Sequence, residues 1–175
     1  MPAPTTLAEI NDQGAWTSPD GVLSLTVPAD WAPAEDASAG ATRLLTVASQ
    51  TQIVGRQTLR QCSVERAVTP NGQAQQQVNA MTESSTAESV LGPASGSNPV
   101  HSFSNEIVNG VRVISFDRNT GNLRHMQSVF AIADGRELVR YTVACGAGEG
   151  ENADVDIAAM IQFMSSLAIN ARTAP

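Results

Sequence analysis

Apolar and polar residues alternate with a period of two through much of this chain, the spacing of strands with one buried face. Val22-Leu23-Ser24-Leu25-Thr26-Val27 is such a run. It is entered from Trp16-Thr17-Ser18 through Pro19-Asp20-Gly21, where proline presets φ and glycine accepts a positive φ, and it stops at Pro28. Ala29 to Gly40 reads as a small-residue, acidic loop. Thr42 to Ala48 and Gln57 to Ala67, rich in Leu, Val and Thr, predict two further strands. The period then changes. Past Thr69-Pro70-Asn71-Gly72, the residues Ala74, Val78 and Met81 form one apolar stripe on a Gln-rich helix. Ser85-Thr86-Ala87-Glu88 is a capping box that starts a second short helix, ending near Gly92-Pro93. A Ser/Gly/Pro linker runs to Pro99.

From Val100 to Cys145 the turns are legible. Asn109-Gly110 is a type I′ hairpin signal, Asn119-Thr120-Gly121 suits a three-residue loop, and Asp134-Gly135 suits another two-residue turn. Together they predict a four-stranded meander. The first turn sets Phe103 opposite Phe116 and Asn105 opposite Ile114. The second sets Ile114 opposite Met126 and Arg112 opposite Ser128. The third sets Phe130 opposite Val139, Ser128 opposite Tyr141 and Met126 opposite Val143. In these registers Phe103, Ile107, Ile114, Phe116, Met126, Phe130, Val139, Tyr141 and Val143 share one face. The other face carries Val108, Val111, Val113, Val129, Ala131 and Leu138 at one end, and Asp117, His125, Gln127, Arg140 and Thr142 at the other. Asn152 to Leu167 predicts a closing helix with Asp154 and Asp156 in its first turn and a stripe of Ile157, Met160, Ile161, Met164 and Leu167. Helices available to both faces make the expected fold α+β, a three-layer α/β/α sandwich around an antiparallel sheet.

Composition narrows the function classes. The chain of 175 residues is 42% apolar but only 4% aromatic, so Val, Leu, Ile, Ala and Met must build the core of a single domain. Net charge is −7, and the ten cationic residues are all arginine with no basic cluster, which argues against nucleic acid and anionic membrane surfaces. No apolar stretch is long enough for a membrane span. The opening Met1-Pro2-Ala3-Pro4 has neither the basic nor the apolar region of a signal peptide. Two localisations stay open: cytoplasmic as written, or periplasmic or exported after trimming, which the Pro-Ala-Pro start favours.

Candidate chemistry is sparse. His101 and His125 have no zinc spacing, and no metal or cofactor is expected. In the registers above, His125 lies near Asp117 and Thr142, a small acid/base constellation that would suit a hydrolase; the alternative is a solvated strand end. Gly146-Ala147-Gly148-Glu149-Gly150 lacks the lysine of a phosphate loop. Glu149, Glu151, Asp154 and Asp156 lack the ligand ladder of a calcium loop, and helix-dipole complementarity accounts for them. Trp16 and Trp31, beside the loop from Ala32 to Ala41, are a candidate interaction surface, with core packing as the alternative.

The order of a hairpin, two strands, a helical insert, a meander and a closing helix resembles the PsbP-like fold family. Small bacterial exported proteins and a nuclear Ran-binding release factor share that fold. The residues carrying the likeness are Asp20-Gly21-Val22-Leu23-Ser24-Leu25-Thr26-Val27-Pro28-Ala29-Asp30-Trp31, Tyr141-Thr142-Val143-Ala144-Cys145 and Met164-Ser165-Ser166-Leu167-Ala168-Ile169. The resemblance implies a sheet of about seven strands and one domain over residues 16–169, between an extension at 1–15 and a tail at 170–175. It places the strand before the insert beside the last meander strand, bringing Cys62 to Cys145. A disulfide there and two buried free thiols are the alternatives, and export favours the bridge. The implied function is a non-enzymatic accessory or protein-interaction domain of a bacterial envelope, its partner an unknown protein. A small-ligand binding protein using a pocket beside the Ala29–Gly40 loop is the alternative, and a hydrolase centred on His125 and Asp117 is a further one.

Overall fold

The computed structural model describes residues 10–33, 42–49, 60–69, 100–120, 123–134, 137–148 and 153–170. Its elements are β1 (Ala15–Thr17), β2 (Leu23–Thr26), β3 (Trp31–Pro33), β4 (Thr42–Ser49), β5 (Arg60–Thr69), β6 (Val100–Val108), β7 (Val111–Thr120), β8 (Leu123–Asp134), β9 (Glu137–Gly148), α1 (Ala153–Ser165) and β10 (Ala168–Ile169). Seven strands form one antiparallel sheet in the order β3-β4-β5-β9-β8-β7-β6, and a small sheet runs β1-β2-β10. The fold is α+β, with one helix among the described residues. The helices expected over 74–81 and 85–93 lie outside the described residues, as does most of the Ala29–Gly40 loop.

The small sheet is built on the expected turn. Gly21 has φ 73°, and the Asp20 carboxylate accepts from the Ser18 hydroxyl at 2.6 Å and the Val22 N–H at 3.1 Å. This turn sets Trp16 opposite Leu25 and Thr17 opposite Ser24. Before it, the Gly14 carbonyl accepts from Val27 N–H, and a Cβ on Gly14 would meet the Val27 carbonyl oxygen at 2.5 Å, so this position admits only glycine.

In the meander, the first expected register is the one observed: Asn109 and Gly110 have φ 50° and 79°, Phe103 pairs with Phe116, and Asn105 pairs with Ile114. The second is corrected. Thr120 pairs with Leu123, and Ile114 meets Val129 instead of Met126. An offset of three residues is odd, so β7 turns over relative to β8. Val113, Ser115 and Asp117 now share a face with Phe130, Ser128 and Met126. That arrangement is held by a Ser115–Ser128 hydroxyl bond of 2.7 Å and a two-pronged Arg124–Asp117 ion pair at 2.7 Å. The third register shifts by two, an even step that leaves every side chain on its expected face. Phe130 pairs with Tyr141, Ser128 with Val143 and Met126 with Cys145, and the Phe130 and Tyr141 rings stack with centroids 5.1 Å apart. The predicted single face is therefore divided. Met126, Phe130, Val139, Tyr141 and Val143 lie under α1, while Phe103, Ile107, Ile114 and Phe116 lie on the opposite side.

The helix is also rotated from its expected stripe. Asp156, Met160 and Phe163 are its enclosed positions, whereas Ile161 is 45% exposed. Ser166 ends it: the hydroxyl donates to the Phe163 carbonyl at 2.7 Å and accepts the Thr26 N–H at 2.8 Å, stitching the helix terminus to β2. β10 then adds to β2 through Ile169 and Leu23. One core joins α1, the small sheet and the inner face of the large sheet, with Leu23, Val47, Val64, Phe130, Val143, Met160 and Phe163 fully buried.

Candidate functional site

Alternation along β5 and β9 turns Cys62 and Cys145 inward on adjacent strands. They are direct cross-strand partners, buried and joined by a disulfide with Cα atoms 4.1 Å apart. Trp16 and Trp31 are also inside, 3% and 6% exposed, as members of the core cluster. Their rings are spent on packing, the alternative that stood beside an interaction surface.

The pair that could have formed an acid/base site is taken apart. The odd register offset carries Asp117 to the α1 side, where Arg124 grips both its oxygens, and leaves His125 on the other face. Thr142 stays on His125's face, in the cross-strand file of Glu65 and Val129. Among the described residues no carboxylate orients His125, so the His125–Asp117–Thr142 constellation is not assembled.

Two polar clusters have no counterpart in the sequence pattern. In one, Tyr141 and Arg66 sit directly opposite on β9 and β5 and both reach Asp20 in the β1–β2 turn. Burial raises the Asp20 carboxyl, but hydrogen bonds from Ser18, Tyr141 and Val22 with the nearby Arg66 charge hold it below the ordinary carboxylate value. Burial and the bond to Asp20 push Tyr141 up to about 12. Both groups therefore keep their usual protonation at neutral pH, and the cluster pins the turn to the sheet. In the other, Arg60 and Asp156 form an ion pair with each side chain 3% exposed, and Ser49 donates to the second Asp156 oxygen at 2.9 Å. Asp156 thus anchors α1 to the sheet, a role beyond the dipole complementarity expected of it. The available signal was its position four residues before Met160, on the inner stripe.

The face away from α1 has a different character. Arg118 and His125 are cross-strand partners there. Phe116 lies beside both, 5.7 Å from the Arg118 guanidinium and 5.9 Å from the His125 ring. Burial first, and then the Arg118 charge, hold His125 below the ordinary imidazole value. His101 is engaged elsewhere, by Asn119 at 3.0 Å. Among the described residues, no three His, Cys, Asp or Glu side chains converge as metal ligands, and no helix is long and apolar enough to cross a membrane.

The sequence matches no protein-family model and no curated protein. Solved structures do match. The solution structure of cyanobacterial PsbP (CyanoP) from Synechocystis sp. PCC 6803 is 10% identical, with 95% of this chain and 96% of that chain covered at a TM-score of 0.52. The crystal structure of LpqN, involved in cell envelope biogenesis of Mycobacterium tuberculosis, is 10% identical, with 92% and 87% covered at a TM-score of 0.54. The chain has the PsbP-like fold. Identity this low carries the fold alone. Within this PsbP-like domain the polar groups under α1 are tied to one another, and among the described residues the exposed large apolar side chains lie elsewhere: Val68 on β5, Val100 and Ile107 on the end strand β6, and Val155 and Ile161 on α1, while Arg118 and His125 are half-buried.

Proposed function

We propose that this chain is a non-enzymatic accessory domain of a bacterial envelope that works by binding another protein. The observation that carries the reading is the apolar surface left outside: Val155 is 65% exposed, Ile107 58% and Ile161 45%. Large apolar side chains on the surface of an acidic domain suit burial against a partner. The Cys62–Cys145 disulfide supports an oxidising compartment, where such bonds persist. The likeness to LpqN, a protein involved in cell envelope biogenesis, is consistent with that placement. The separation of His125 from Asp117 supports a non-catalytic role. A second layer over the face away from α1 belongs to the same reading, because Ile114 and Phe116 are 4% and 9% exposed there.

Cross-linking in intact cells followed by affinity capture tests the proposal. One envelope protein should be recovered in near-stoichiometric amount with the wild-type chain, and less with Val155→Asp/Ile161→Asp. Hydrolytic turnover by the purified protein that disappears in His125→Gln would reverse the reading.

A further inference from the structure

Among the described residues, guanidinium groups meet carboxylates in four pairs: Arg43 with Glu65, Arg60 with Asp156, Arg66 with Asp20 and Arg124 with Asp117. Arg118 is different. Its Nε is buried without a hydrogen-bond partner, and among the described residues no carboxylate pairs with it. Removing part of a cation from water without an acid is unfavourable, and among the described residues the face of the Phe116 ring offsets part of that cost.

The surroundings suit an incoming anion. His125 stands directly across from Arg118, tilted 47° to the Phe116 ring. The same cross-strand file continues through Gly146 to Gln61. Gly146 has no side chain, and a Cβ there would stand at ordinary contact distance from Leu123 Cδ1 (3.9 Å) and the Arg124 carbonyl (4.0 Å), so among the described residues a small group is not obstructed beside His125. Among the described residues, the carboxylates near this file are committed elsewhere: Asp117 to Arg124 on the other face, and Glu65, two files along, to Arg43. From β7 only Arg118 bears on His125; β9 and β5 present Gly146 and Gln61.

We infer that Arg118 and His125 form a binding site for a carboxylate, with the guanidinium as the fork, the imidazole closing from the next strand and Phe116 holding both rigid. A guanidinium matches a planar carboxylate through two parallel N–H bonds. With His125 held towards neutral imidazole by burial and by Arg118, the free site carries one full positive charge, which balances a monoanion and not the tetrahedral phosphate dianion. The acid is either a Glu or Asp side chain of a protein or a free small carboxylate. The site does not depend on the protein-binding reading, since a free acid would use the same groups.

NMR titration of the His125 imidazole in the whole chain tests this, in chloride buffer alone, with excess acetate, with a short Glu-rich peptide, and with inorganic phosphate. A bound carboxylate stabilises the imidazolium, so acetate should raise the His125 pKa by about one unit. Arg118→Gln should abolish that rise and Arg118→Lys should keep part of it. If Arg118→Gln does not fold, the Arg118 Nε resonance in His125→Gln serves as the probe, and it should still move with acetate. A peptide that saturates at far lower concentration than acetate assigns the acid to a protein partner; equal potency assigns it to a free carboxylate. An unchanged His125 pKa in both, or phosphate acting as strongly as acetate, overturns the site.

Discussion

The two faces of the large sheet treat polar groups in opposite ways. Under α1 the files Val47–Cys62–Cys145–Met126 and Leu45–Val64–Val143–Ser128 are closed to water, and polar atoms enter them in pairs. Asp156 meets Arg60, Tyr141 meets Asp20 and Ser128 meets Ser115. On the other face Ile114 and Phe116 are buried, yet they sit among Arg118, His125, Gln127 and Thr142. The difference follows from solvation. Where water is excluded an unpaired charge is prohibitive, whereas a half-solvated cation survives with an aromatic ring for a neighbour and remains available to a ligand.

The largest effects should lie under α1. Asp156→Ala removes the carboxylate that faces the buried Arg60 charge and should lower unfolding free energy by about 3–5 kcal/mol in urea titrations. Arg60→Met/Asp156→Leu should recover most of that loss. Phe163→Ala should also cost about 3–5 kcal/mol, and Phe116→Ala distinctly less. Equal losses at Phe163 and Phe116 would break the contrast between the faces.

The disulfide comes next. It closes a loop across 83 residues of sequence, and the chain-entropy account assigns such a loop roughly 4 kcal/mol. Cys62→Ala/Cys145→Ala should lower stability by about 2–4 kcal/mol under non-reducing conditions, and reductant should then leave the double variant unaffected. Thiol titration of the unfolded wild type without reductant should find no free thiol.

A smaller effect should come from the Tyr141–Asp20 bond. Tyr141→Phe removes a hydrogen bond to a charged acceptor, and about 1.5–3 kcal/mol should be lost. The linkage has two signs. Tyr141 is raised, so its contribution is complete below its ordinary value of 10 and is lost as pH rises through about 12. Asp20 is lowered, so its contribution is complete above its ordinary value of 3.8 and is lost as pH falls through the folded-state value. Stability profiles of wild type and Tyr141→Phe should differ most in slope at those two ends.

The smallest effect belongs to the face away from α1. His125 is lowered, so the folded state favours neutral imidazole; that stability is present above the ordinary value of 6.5 and fades as pH falls below it. His125→Gln should flatten the melting temperature between mildly acidic and neutral pH. A melting temperature that falls as steeply in the variant would assign the acid sensitivity to other groups.

How far the sequence carries the fold differs from hairpin to hairpin. Asn109-Gly110 sets its register without outside help, because both residues take positive φ and a type I′ turn leaves the strands one way to pair. The next hairpin departs from its expected register because β7 is apolar on both sides, with Val111 and Val113 on one parity and Ile114 and Phe116 on the other. With either parity able to fill a core, the period of two does not choose between them. The same odd offset separates His125 from Asp117, so the candidate acid/base pair was only as sound as that turn.

Local chemistry in the chain was enough to determine where β2, β4 to β9 and the closing helix lie, how the Ser18–Val22 turn is made and where the first meander hairpin bends, whereas β3 falls in the stretch expected to be a loop. Each depends on neighbours within a few residues, whose φ preferences and spacing act before any long-range contact exists. Tertiary structure decided which side of β7 faces α1, which line of the helix turns inward and what every buried charge meets. Arg60 lies 96 residues from Asp156, and Tyr141 lies 121 residues from Asp20. Partners so distant leave no periodic trace in the sequence. They are selected only when the closing core excludes water and each remaining charge must find its counterpart.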